Sequence, residues 1–191
     1  MATAKRIGEA VATARERQDI TAAKLSERTK QLGFPIHRTA ITKIENGSRS
    51  GKMDVSELIV LAAALGVPPV QLLYPQMPDG PTEALPGVES LSSDAMLWFS
   101  GERATLRGRR SEDIAPVHLC RTDPRLTQAT RSYVNAKDGL DAAVSRRDHP
   151  EMHPYEEVPP DELQQEISRK GGNVTDARGR ALAAGGVVDD A

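Results

Sequence analysis

Apolar positions recur at helical spacing through the first 75 residues of the chain. Ile7, Ala10, Val11 and Ala14 fall at i, i+3, i+4 and i+7, which predicts an amphipathic first helix over roughly residues 4–17. Asp19-Ile20-Thr21 interrupts it, and Thr21 is placed to cap a second helix whose inward residue is Leu25. That helix runs toward Leu32 and stops at Gly33, because Phe34-Pro35 prevents its continuation. A third helix spans about His37 to Asn46 and closes on Gly47, a residue suited to a left-handed C-cap. Asp54 and Glu57 make an acidic analogue of a capping box for a fourth, whose inward face is Leu58, Leu61, Ala62 and Leu65. It ends at Gly66, and Pro68-Pro69 start a short fifth helix from Val70 to Leu73.

Beyond residue 75 the periodicity weakens. Residues 76–92 are rich in Pro and Gly and predict a linker. Ser93 or Asp94 then caps a short helix holding Met96, Leu97, Trp98 and Phe99, an apolar anchor for a small core. The basic run Arg103, Arg107, Arg109 and Arg110 reads as a solvated loop, since Glu112 and Asp113 follow at once. Residues 123–147 are the most regular element of this half. Leu126, Tyr133 and Leu140 repeat every seven residues, with Ala129, Ala136 and Ala143 three further on in each case. That is a seam for another helix, belonging either to a second copy or to the Trp98 helix of the same chain. Asp161 to Lys170 predicts a last short helix with Leu163 and Ile167 inward, and the Gly-rich tail from residue 171 is expected to be disordered.

Composition and charge narrow the function. No apolar run approaches the roughly 18 residues of a membrane span, and the polar start carries no secretory signal. The single cysteine, Cys120, excludes an internal disulfide framework and reads as a small core filler. A cytoplasmic protein is expected. The net charge of −2 hides an asymmetry: residues 1–75 hold 11 Lys and Arg against 7 Asp and Glu, a balance of +4, and the remainder stands at −6. A basic module joined to an acidic remainder suggests a polyanionic partner for the front half.

The third helix says which one. Ala40, Ile41 and Ile44 form its inward stripe and leave Arg38, Thr39, Thr42, Lys43 and Asn46 on the outer face. Arg and Lys suit guanine O6 and N7, Thr suits base edges or phosphate, and Asn bonds adenine or phosphate. The loop Asn46-Gly47-Ser48-Arg49-Ser50-Gly51-Lys52 follows, with free amides and two cations for phosphate contacts. Glu45 is assigned to an intramolecular pair or cap, because a carboxylate beside phosphates repels.

These residues carry a resemblance. Ile20-Thr21-x-x-Lys24-Leu25-Ser26-Glu27, Arg38-Thr39-Ala40-Ile41-Thr42-Lys43-Ile44-Glu45-Asn46-Gly47 and Leu58-x-x-Leu61-Ala62-x-Ala64-Leu65-Gly66-Val67 together resemble the Cro/CI-type (XRE family) helix-turn-helix. The organisation is similar to actinobacterial or actinophage repressors. The resemblance implies a third helix in the major groove and a second across the backbone. On that basis the base-reading residues are Arg38, Thr39, Thr42 and Lys43, and the phosphate contacts are Thr21, Lys24, His37, Asn46, Arg49 and Lys52. Two departures stand out. Ala22 replaces the Gln that often braces the recognition helix, and the turn Leu32 to His37 is longer than usual, with His37 where a Ser cap is common.

The fold expected is all-α: a five-helix Cro/CI-type domain over residues 1–75, a linker over 76–92, a helical C-terminal region over 93–170 and a disordered tail over 171–191. The function expected is a sequence-specific DNA-binding regulator, a repressor acting at a double-stranded operator as a homodimer. Leu126, Ala129, Tyr133, Ala136 and Leu140 are its dimerisation candidates. The alternative is an antitoxin-like module whose acidic C-terminal half binds a protein partner while the front half autoregulates. No enzyme, cofactor or membrane role is expected. His149 and His153 stand at i, i+4, but the Glu a metallopeptidase helix needs is missing and Pro150 and Pro154 break the helix.

Overall fold

The apolar stripes predicted for the front half converge on one core. A computed structural model describes residues 2–48, 52–110, 117–121, 123–153 and 158–188 of the 191-residue chain. Five helices come first: α1 (Ala2–Arg17), α2 (Ala22–Gln31), α3 (Arg38–Glu45), α4 (Val55–Leu65) and α5 (Pro69–Leu73). Val11, Leu25, Ile41, Leu61 and Ala62 are fully buried among them, one or more from each of the first four helices, and Leu72 closes the core from α5. The ends are fixed as the sequence dictates. Thr21 caps α2 by accepting from the amide of Lys24 at 3.1 Å, and Asp54 and Glu57 form a reciprocal capping box on α4. Gly66 ends α4 at φ 64°, a conformation costly for a residue with a Cβ.

Residues 76–92 are no plain linker. Here β1 (Pro81–Leu85) and β2 (Val88–Leu91) pair antiparallel around Pro86-Gly87, with Thr82 opposite Ser90. β2 pairs antiparallel with β3 (Thr105–Arg110), and β4 (Val117–Arg121) completes a four-stranded sheet in the order β1-β2-β3-β4. The chain is mostly helical but not all-α. The basic run expected as a loop therefore places Arg107, Arg109 and Arg110 in a strand. Its alternation explains this, with Leu106 and Gly108 buried and Arg107 and Arg109 exposed. α6 (Ser92–Phe99) contributes Ala95 to a second small core with Tyr74 and Leu106, and Trp98 packs against it.

Arg6 ties this layer to the helices before it. Its Nε donates to the Leu73 carbonyl at 2.9 Å and a terminal nitrogen donates to the Glu83 carbonyl at 3.1 Å. The guanidinium also lies 5.9 Å from the centre of the Tyr74 ring. Burial pulls Arg6 below its ordinary pKa, with Tyr74 and Glu83 opposing, and burial pushes the Tyr74 hydroxyl up.

The chain divides into two compact units, Met1–Phe99 with Thr105–Cys120 and Ser100–Ala104 with Arg121–Ala191. The second is a helical hairpin of α7 (Arg125–Asp148) and α8 (Pro160–Ala183), with a short 3-10 turn at Pro150–Met152. Lys170 donates to the Gly139 carbonyl at 3.0 Å and Arg146 pairs with Glu166 at 2.7 Å, so late residues of α7 meet early ones of α8 and the helices run antiparallel. The region expected to be a disordered tail is helical as far as Ala183. Its apolar period, Leu163, Ile167, Val174, Ala177 and Ala181, continues past Lys170 and outweighs the low helix propensity of Gly171, Gly172 and Gly179.

Candidate nucleic-acid interface

α3 is held on its inner side by Ile41 and Ile44, both buried, with Ala40 half-buried beside them. That anchoring leaves Arg38, Thr39, Thr42 and Lys43 exposed. Arg38 and Thr42 are one turn apart, as are Thr39 and Lys43, so the four form two adjacent rows on one face. Thr42 Oγ1 donates to the Arg38 carbonyl at 3.0 Å. Arg38, Lys43 and Lys52 form no ion pair among the described residues. Their charge is uncompensated and faces solvent.

The acid of this segment is turned away. Glu45 receives Arg15 of α1 in a two-pronged pair, Nε to Oε1 at 2.7 Å and a terminal nitrogen to Oε2 at 3.2 Å. Arg15 also donates to the Ile20 carbonyl at 3.0 Å, and the Glu45 hydrogen bond raises its guanidinium pKa further. The pair takes the negative charge out of the α3 surface and joins α1 to the end of α3.

His37 caps α3, with Nδ1 3.4 Å from the Thr39 amide and 2.9 Å from Thr39 Oγ1. The long turn before it is clamped by two side chains of α2. Thr29 Oγ1, fully buried, accepts from the Ile36 amide at 3.0 Å and donates to the Ser26 carbonyl at 2.8 Å. Ser26 Oγ donates to the Ile36 carbonyl at 2.7 Å. These bonds satisfy both backbone groups of the buried Ile36 and set the entry of α3. They brace α3 from positions other than Ala22. Sequence reasoning missed Thr29 and Ser26, although a Thr on the inward stripe of α2, four residues after Leu25, was the available signal.

The phosphate candidates lie at the molecular surface as far as they are described. Thr21, Lys24, His37, Asn46 and Lys52 are all exposed, whereas Arg49 lies outside the described residues. Thr21 is engaged in its cap, and Lys24 pairs with Glu27 at 2.8 Å, which lowers the Glu27 carboxyl pKa. Among the described residues no group of three or more His, Cys, Asp or Glu stands placed to hold a metal ion, and no helix is long and apolar enough to cross a membrane.

The family model described as "Helix-turn-helix" matches residues 11–72, from the second half of α1 to α5. This segment is a helix-turn-helix domain of the Cro/CI type. It takes about a third of the chain. No curated protein and no solved structure matches the chain significantly. In the helix-turn-helix domain α2 and α3 are the motif's two helices, α1, α4 and α5 supply the core beneath them, and the long turn is Leu32 to His37. A domain of this type binds DNA.

Proposed function

We propose that the protein is a sequence-specific repressor that lays α3 in the major groove of an operator. Arg38, Thr39, Thr42 and Lys43 read base edges, and Thr21, Lys24, His37, Asn46, Arg49 and Lys52 hold phosphates. Two copies occupy half-sites about one helical turn apart, so the operator has two-fold symmetry. The observation that carries this reading is the outer face of α3. It presents two unpaired cations and two threonines, while its only acid is drawn inward by Arg15. Thr42 and Thr39 keep acceptor lone pairs and methyl groups for base contacts despite their local hydrogen bonds.

Repression follows from occupancy, since a bound dimer excludes polymerase from an overlapping promoter. In a purified transcription assay with the operator placed across the promoter, added protein should lower transcript yield in proportion to operator occupancy. Unchanged or increased yield at full occupancy would refute the repressor role and leave DNA binding intact.

A further inference from the structure

Both threonines of the α3 face have their hydroxyl protons committed inside the protein. Thr42 Oγ1 donates to the Arg38 carbonyl at 3.0 Å, which leaves this exposed oxygen with lone pairs alone. For Thr39 the direction follows from His37. The Thr39 amide, which can only donate, meets Nδ1 of the His37 ring at 3.4 Å, so Nδ1 is the bare nitrogen and the ring proton sits on Nε2. Thr39 Oγ1 lies 2.9 Å from that same bare nitrogen, and only its hydroxyl can supply the proton between them. Thr39 therefore also offers lone pairs alone. A free threonine hydroxyl rotates to donate or accept and distinguishes little. Arg38 and Lys43 are the converse case, since their side chains only donate. Each row of the face thus holds one donor and one acceptor, Arg38 with Thr42 and Thr39 with Lys43, one helical turn apart.

We infer, on the major-groove reading proposed above, that α3 reads a fixed pattern of hydrogen-bond polarity. Arg38 and Lys43 select guanine, whereas Thr39 and Thr42 select the amino bases, adenine or cytosine, on the strand each faces. In the major groove adenine N6 and cytosine N4 donate, while guanine O6 and thymine O4 accept. An acceptor-only oxygen set against guanine or thymine meets a second acceptor, and a desolvated polar group is left unpaired. Four helical residues rise about 6 Å, roughly two base-pair steps, so in each row the amino base lies within about two pairs of the guanine. His37 is a positioning residue for this readout, because its bare Nδ1 fixes the direction of the Thr39 hydroxyl. The same tautomer leaves its Nε2–H as the donor for a phosphate.

Selection from a random duplex pool by the full chain and its variants tests this. The wild type should enrich guanine at the spacing above from two positions where adenine or cytosine is favoured about tenfold over guanine or thymine. Thr39→Val and Thr42→Val should each erase the amino preference at one position and leave the Arg38-dependent guanine in place. His37→Ala frees the Thr39 hydroxyl to donate, so guanine and thymine should become acceptable at the Thr39 position alone. His37→Asn, whose side-chain oxygen caps as an acceptor, should restore the preference. Should His37→Ala lose all binding, Thr39→Val decides. Guanine or thymine at the positions that the valines erase, or an amino preference that survives Thr39→Val, would overturn the inference and leave α3 as the reading helix. So would a His37→Ala variant that weakens every duplex alike with its preferences intact, as a merely structural cap would. A pool with no enriched sequence, or a guanine indifferent to Arg38→Ala, would sink the groove reading itself and the polarity pattern with it.

Discussion

Replacing Arg38 by Ala is expected to weaken operator binding by about 1–3 kcal/mol and to relax preference at one base pair. The exposed guanidinium at the start of α3 is the group best shaped to grip guanine O6 and N7 together. Its loss removes one paired contact and leaves the phosphate grip in place. Lys52→Ala should behave differently. It removes one exposed, unpaired cation from the loop after α3, so all DNA should bind more weakly and the salt slope should fall by about one unit. Titrations of operator and scrambled duplexes at several salt concentrations separate the two. If Arg38→Ala left both affinity and preference untouched, α3 would not be the reading helix.

The second large effect is expected at Gly8. This glycine is buried in α1, and a Cβ there would collide with the carbonyl oxygen of Ile44 and approach Glu45 Cα at 3.4 Å. The close approach lets Arg15 and Glu45 meet further along the same pair of helices. Gly8→Ala should therefore cost about 2–3 kcal/mol, because the neighbour is backbone and cannot rotate away. A fall of about 10–20 °C in the melting temperature of the first unit is expected. Operator affinity should drop with it, since the end of α3 must shift. Gly179→Ala in α8 is the contrasting case. A Cβ there meets nothing within 4 Å, so the change should stabilise the hairpin by about 1 kcal/mol. Equal stability of Gly8→Ala and wild type would mean that α1 and α3 do not pack this closely.

The helix-turn-helix domain was legible in the sequence for a physical reason. Its inward positions are Leu, Ile, Val and Ala at helical spacing, and its caps are local, from Thr21, Asp54 with Glu57, and Gly66. The expected inward fate of Glu45 was readable from charge alone, although its partner, thirty residues away, was not. The first two strands were hidden because polar side chains share their buried positions with Val88. Thr82 and Ser90 turn inward, and so does Ser92 at the start of α6, so hydropathy does not alternate along strands of four and five residues. The extent of α8 was hidden by Gly171 and Gly172, which mimic a helix end. The apolar residues beyond them hold the helix against α7, a contact that no local rule registers.

Selection of bound duplexes from a random DNA pool by the full-length protein tests the central claim most directly. The account predicts one enriched sequence made of two inverted half-sites about one helical turn apart, each containing a guanine whose preference disappears with Arg38→Ala. A pool that remains random after repeated selection, with binding that depends on salt alone, would contradict it.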